Sequence, residues 1–208
     1  MSKRWVFSPP NKELQAEISS KLKISPLLAQ VLINRGITDV TSAKNFLNPQ
    51  MSLLADPSSL PDIEKASIRI NEAIKNGEKI VIYGDYDVDG LTATALMYRC
   101  LKLVGAQVSY YIPDRLGEGY GLNANAITKL KESGAKVILT VDCGINACRE
   151  AEIARNYGID LIITDHHQPG QEIPRAFAVV NPKLKTSQNG FKDFSGVGIA
   201  FKLAWAIG

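Results

Sequence analysis

Apolar and polar residues alternate with two different rhythms along this chain. Over the first 60 residues the spacing is helical and interrupted by prolines. Apolar positions three and four apart predict helices from Asn11 to Lys23 and from Pro26 to Arg35, with Gly36 as a C-cap. A third short helix, capped by Thr41 or Ser42, is expected to end near Asn48-Pro49. The run Ala55-Asp56-Pro57-Ser58-Ser59 reads as a linker, dividing a small helical region (1–60) from the remainder (61–208).

From Pro61 onward helical stretches alternate with short apolar runs. The runs Lys79–Tyr83, Gln107–Ile112, Lys136–Val141 and Asp160–Thr164 have strand length, and Ala176–Val180 is a candidate fifth. Helical segments lie at Pro61–Lys75, Leu91–Val104, Asn123–Glu132, Asn146–Tyr157 and Ile199–Ile207. Strands buried on both faces and joined by helices predict an α/β fold: a mainly parallel sheet with helices on both faces, preceded by the small helical region.

Each strand leads into polar chemistry. The first runs into Asp85, Asp87 and Asp89, the second into Asp114-Arg115, the third into Asp142 and the fourth into Asp165-His166-His167. In open parallel sheets the carboxyl ends of the strands share one edge, where ligands bind. Carboxylates gathered there repel one another, and divalent cations resolve that conflict. Carboxylates mixed with imidazoles suit Mn²⁺ or Mg²⁺, and the set is large enough for two ions, an arrangement able to drive phosphoryl displacement. Asp-x-Asp-x-Asp-Gly also opens a calcium-binding EF-hand loop, but the twelfth position is Leu96 rather than Glu and a strand, not a helix, precedes it.

Composition adds limits. Hydrophobic residues make up 45% and charged residues 22%, as in a globular chain with a substantial core. A net charge of +3 excludes a uniformly basic nucleic-acid coat and leaves room for a local basic groove. No apolar run reaches the ~20 residues of a membrane span, and the first residues lack the apolar centre of a signal peptide. Three cysteines, Cys100, Cys143 and Cys148, make no disulfide framework, so a cytoplasmic setting is expected. Cys143 and Cys148 also lack the second pair that a zinc site needs.

The ordered set GDYDVDG (84–90), VDCG (141–144) and TDHH (164–167) resembles the DHH phosphoesterase superfamily. The stretches IVIYGDYDVDGLTATALM, IPDRLGEGYGLN and SGVGIAFKLAWAIG, with LINRGITDVTSAKNFLNP near the start, resemble more narrowly its bacterial single-strand-specific exonucleases. That resemblance implies Mn²⁺- or Mg²⁺-dependent removal of mononucleotides from single-stranded DNA, 5′ to 3′, in repair and recombination. It implies that Asp85, Asp87, Asp89, Asp142 and His166 hold metal, with Asp142 bridging two ions. His167 would face the scissile phosphate, and Asp165 would ligate or orient its neighbours. Relatives often carry a histidine early in the first motif; Tyr83 and Asp85 stand there in this chain, and Asp85 is expected to compensate. The family's fourth metal motif lies beyond the SGVG helix, so these residues are expected to be the front part of a longer enzyme and weakly active alone.

Arg115 is suited to bidentate phosphate binding, with a salt bridge to Asp114 or Glu118 as the plainer reading. The backbone N–H groups of Gly196 and Gly198 could also meet a phosphate, although close packing of a helix start explains those glycines equally well. Tyr110, Tyr111 and Tyr120 could stack on bases, but Tyr110 and Tyr111 should face opposite sides of a strand, making at least one of them core. Two other functions fit the motifs: a DHH phosphoesterase acting on short oligonucleotides, cyclic dinucleotides or pyrophosphate, and a non-catalytic nucleic-acid-binding or replication scaffold. The N-terminal helices and PDRLGEGYGLN argue against the first, and the intact charge cluster argues against the second.

Overall fold

A computed structural model describes residues 9–114, 117, 119 and 121–208. The chain forms two compact units, Met1–Leu54 and Ala55–Gly208. The first contains α1 (Lys12–Leu22), α2 (Pro26–Asn34) and α3 (Val40–Leu47) around Ile18, Ala29, Leu32 and Ala43. Asn11, Ser25 and Asp39 cap the three helices with their side chains. The third cap is therefore Asp39 rather than Thr41 or Ser42, because its carboxylate reaches the Ser42 N–H at 2.8 Å. The 55–60 segment belongs to the second unit, where Leu60 is buried in the core and Lys202 Nζ donates to the Ala55 carbonyl.

The second unit is built on five parallel strands: β1 (Ile80–Tyr83), β2 (Val108–Tyr111), β3 (Val137–Val141), β4 (Asp160–Thr164) and β5 (Ala178–Val180). Their order is β2-β1-β3-β4-β5. Ile82 stands opposite Tyr110 on one side and Leu139 on the other. The helices of this unit are α4 (Ile63–Lys75), α5 (Val88–Leu103), α6 (Ala124–Glu132), α7 (Cys148–Asn156) and α8 (Gly196–Ile207).

Strand alternation sorts these helices onto two faces. Ile80, Ile82, Leu139, Val141 and Ile162 pack with α4, α5 and α8. Val81, Tyr83, Ile138, Leu161 and Ile163 pack with α6 and α7. The parallel sheet covered on both faces is thus the architecture that the apolar runs predict. α5, which leaves β1, and α6, which leads to β3, lie on opposite faces, so β1 and β3 flank the switch point where a doubly wound sheet opens a crevice. Among the described residues no helix is long and apolar enough to cross a membrane.

At the opposite, amino end of the strands, Arg69 of α4 ties the sheet together. Its guanidinium meets Glu78, just before β1, and Asp160, at the start of β4, each at 2.6 Å. Both carboxylates keep partial access to water, which limits the cost of leaving them unpaired. Arg69→Met is expected to lower unfolding free energy by about 1–3 kcal/mol in urea titrations, with no change in metal affinity at the far edge.

Candidate metal centre

The GDYDVDG segment straddles the end of β1 and the first turn of α5. Asp87 is the N-cap, accepting the Gly90 N–H at 2.9 Å. The helix therefore begins at Val88, earlier than the apolar spacing from Leu91 suggests, and carries Asp89 in its first turn. Asp85, 2% exposed, accepts the Tyr86 N–H at 2.8 Å. A Cβ at Gly90 would lie 2.6 Å from the Asp85 carbonyl oxygen, so only glycine lets the helix approach this closely.

Asp142 follows β3 and is 1% exposed. It adopts φ 64°, the left-handed conformation that Asp and Asn tolerate better than most residues. Its N–H is held by the Thr164 carbonyl at 3.0 Å. Two hydroxyls fix the surrounding strand ends: Thr140 donates to the Cys143 carbonyl and Thr164 to that of Thr140, each at 2.7 Å. The carboxylate has fewer partners. Oδ1 is buried with no hydrogen bond, facing His166 Nε2 at 3.1 Å, an ion pair only when that imidazole is protonated.

Asp165, at the end of β4, is saturated instead. One oxygen accepts Ile145 N–H at 2.9 Å; the other accepts His166 N–H at 2.7 Å and His167 N–H at 3.1 Å and contacts His167 Nδ1 at 2.7 Å. The His167 side chain is 44% exposed.

Ligand-capable atoms of Asp85, Asp87 and Asp142 lie within 4.8 Å of one another, as do those of Asp142, His166 and His167. Asp142 is common to both sets. Asp89 stands at the margin: its Oδ2 is 3.7 Å from His166 Nε2. The same carboxylate accepts the N–H groups of Gly196 at 2.6 Å and Val197 at 2.8 Å, at the start of α8. The Gly198 N–H goes to the Ser195 cap. The expectation that Gly196 and Gly198 offer their N–H groups to a phosphate is therefore corrected. Asp89 already occupies the anion position of that helix, and a phosphate would meet its charge. Gly196 is required for packing, since a Cβ there would lie 2.5 Å from Asp142 Cβ and Cγ.

Burial, reinforced by repulsion from Asp89 and Asp87, pushes the Asp142 carboxyl up to about 7. Burial likewise raises Asp85, opposed by its hydrogen bond from Tyr86. Burial holds the Cys143 thiol well above its ordinary range, so it is not a thiolate ligand. Asp114 is exposed at the same edge, while Arg115, Glu118 and Tyr120 lie outside the described residues. Asn123 Nδ2, at 3.2 Å, and the Gly121 carbonyl, at 3.0 Å, both bond the Tyr83 hydroxyl, a tether of the neighbouring loop that the motifs did not reveal.

Residues 79–207 match the N-terminal domain of the DHH family, and the chain belongs to that family. Among curated proteins, it is 45% identical over 98% of its length to the single-stranded-DNA-specific exonuclease RecJ of Bacillus subtilis. It is 32% identical over 94% of its length to RecJ of Escherichia coli. It spans only 26% and 33% of those two proteins. A crystal structure of Thermus thermophilus RecJ in complex with Mn²⁺ superposes with a TM-score of 0.75 at 32% identity, covering 97% of this chain and 28% of that one. A second structure, exonuclease RecJ bound to manganese, gives 0.66 at 40% identity, covering 71% and 37%.

The load on Asp142 is measurable without metal. Its folded carboxyl keeps a proton up to about pH 7, whereas an ordinary one loses it near pH 4. The native state then binds more protons across that window, so metal-free stability falls as pH rises through it. Asp142→Asn, which retains a residue suited to the left-handed backbone, is expected to exceed wild type by up to about 4 kcal/mol at pH 8 and to match it near pH 4. Calorimetry in EDTA checks this; no advantage at pH 8 would show that the carboxylate carries no such load.

Proposed function

We propose that this chain carries the two-metal hydrolytic centre of a single-stranded-DNA exonuclease acting 5′ to 3′ and releasing mononucleotides. One observation carries the reading: two ligand sets at the switch-point edge share a single buried carboxylate, Asp142. Asp85, Asp87 and Asp142 would hold one ion; Asp142 and His166, with Asp89 beside them, would hold the other. An unbonded buried oxygen among further carboxylates and an imidazole suits a hard divalent cation, Mn²⁺ or Mg²⁺. Bound there, the ions would neutralise the cluster, lower the pKa of water and stabilise charge on the phosphoryl oxygens.

The remaining roles belong to side chains. Asp165 orients rather than ligates, because protein donors occupy both of its oxygens. Its contact with His167 Nδ1 favours the tautomer with the proton there, leaving Nε2 to exchange a proton at the scissile phosphate. The single-stranded substrate follows the RecJ relatives, the polarity follows the family resemblance of the motifs, and the unpaired cysteines suit a cytoplasmic protein.

Calorimetric titration with Mn²⁺, beside hydrolysis of 5′- and 3′-labelled oligonucleotides, tests the proposal. Wild type should bind Mn²⁺ and release the 5′ label from single strands in preference to duplex. Asp142→Ala should weaken Mn²⁺ binding by more than ~100-fold, beyond the range of outer-shell ligand partners, and abolish turnover. His167→Ala should lower turnover at least ~100-fold while sparing metal affinity. Undiminished Mn²⁺ binding by Asp142→Ala would refute the shared-ligand arrangement, and initial release of the 3′ label would refute the polarity.

A further inference from the structure

We propose that the face formed by Tyr98, Arg99 and Tyr110 binds the single-stranded nucleic acid leading away from the metal centre. A base would stack on Tyr110, and phosphates would lie against Arg99 and Lys102. This inference rests on the function proposed above and extends it to a part of the surface that holds no metal ligand.

The sheet topology creates the platform. β2 is an edge strand of the sheet, and its side chains alternate. Tyr111 turns into the protein and stacks on Tyr83 with ring centroids 5.4 Å apart. Tyr110 turns the other way and is 58% exposed. Tyr98 of α5 meets its ring edge-on at 5.5 Å, and Lys102 Nζ stands 5.7 Å from the Tyr98 ring centroid. Leu91, Thr94, Ala95, Arg99 and Ile112 complete a groove of about 390 Å³ with these tyrosines. No carboxylate lines it, and among the described residues neither Arg99 nor Lys102 forms an ion pair.

Aromatic faces bordered by unpaired cations are the chemistry that single strands recognise. Bases supply π-faces irrespective of sequence, and the cations follow the backbone. The position also fits. α5 starts inside the first aspartate motif, and Tyr98 lies roughly 13 Å along its axis from Asp89, at 1.5 Å rise per residue. A strand with one phosphate at the metal centre would need only a few further nucleotides to reach Tyr110. An apolar protein segment could use the leucine and tyrosines but would leave Arg99 and Lys102 without counter-charge.

Anisotropy of a fluorescein-labelled oligo(dT) in EDTA tests the proposal without hydrolysis. Wild type is expected to bind. Tyr110→Ala should bind at least about five-fold more weakly, while Tyr110→Phe, which keeps the ring, should bind as wild type does. Arg99→Ala should reduce the slope of log K against log salt by about 0.7, the loss of one single-strand phosphate contact. The Tyr110 and Arg99 variants should titrate Mn²⁺ normally. Wild-type binding by both Tyr110→Ala and Arg99→Ala would overturn the inference, while loss of hydrolysis in Asp142→Ala would leave the metal centre standing. Failure of Mn²⁺ to bind wild type would remove the metal centre but not a Tyr110-dependent affinity for oligo(dT). Absence of any oligo(dT) binding would overturn this inference. So would a Tyr110→Ala change that abolishes self-association in sedimentation while sparing oligo(dT) affinity, since the occupant would then be a second copy of the chain.

Discussion

Repulsion among carboxylates buried at one sheet edge is the constraint around which this molecule is organised. Asp85, Asp142 and Asp165 are almost completely shielded from water, and Asp87 and Asp89 stand beside them. A low-dielectric surrounding magnifies each charge and penalises each unpaired oxygen. The protein answers in two ways. Asp165 is surrounded by donors and becomes a fixed support, whereas Asp142 is left with an unbonded oxygen and a carboxyl that favours its proton. That contrast supports the proposed roles, Asp165 as a positioning group and Asp142 as a ligand for a cation.

Holding Asp142 in place requires rigid surroundings. Its left-handed backbone sits between strands whose ends are tied by the Thr140 and Thr164 hydroxyls. Such strain persists only where neighbouring structure over-determines it. α8 supplies a second wall. Its first N–H groups grip Asp89, while Gly196 lets the helix start lie directly against Asp142. The helix dipole favours the Asp89 charge, so one contact both closes the site and offsets part of its repulsion.

The switch point explains why these distant segments meet. α5 lies on one face of the sheet and α6 and α7 on the other, opening the crevice between β1 and β3. The same winding leaves β2 at the border, with one tyrosine inside and its neighbour outside. The candidate metal centre and the proposed strand path thus follow from one topology. Both are carried by a chain that spans about a quarter to a third of the length of its curated RecJ relatives.

The apolar rhythm by itself determined the five strands, their intervening helices and the gathering of Asp85, Asp87, Asp142 and the histidines at strand ends. These properties are local: strand length, helical spacing and the residue that follows each run. Long-range contacts decided the rest. Asp89 meets Gly196 and Val197 only once α8 folds over the same face. Nothing in the DHH triplet distinguishes a carboxylate saturated by Ile145 from one left bare, since that difference depends on which loop packs beside it. The alternation of β2 predicted that Tyr110 and Tyr111 would part, but only the packing on the two faces of the folded sheet determined which one is exposed. Periodicity is written in neighbouring residues, whereas burial and hydrogen-bond satisfaction depend on partners that only the folded chain brings together.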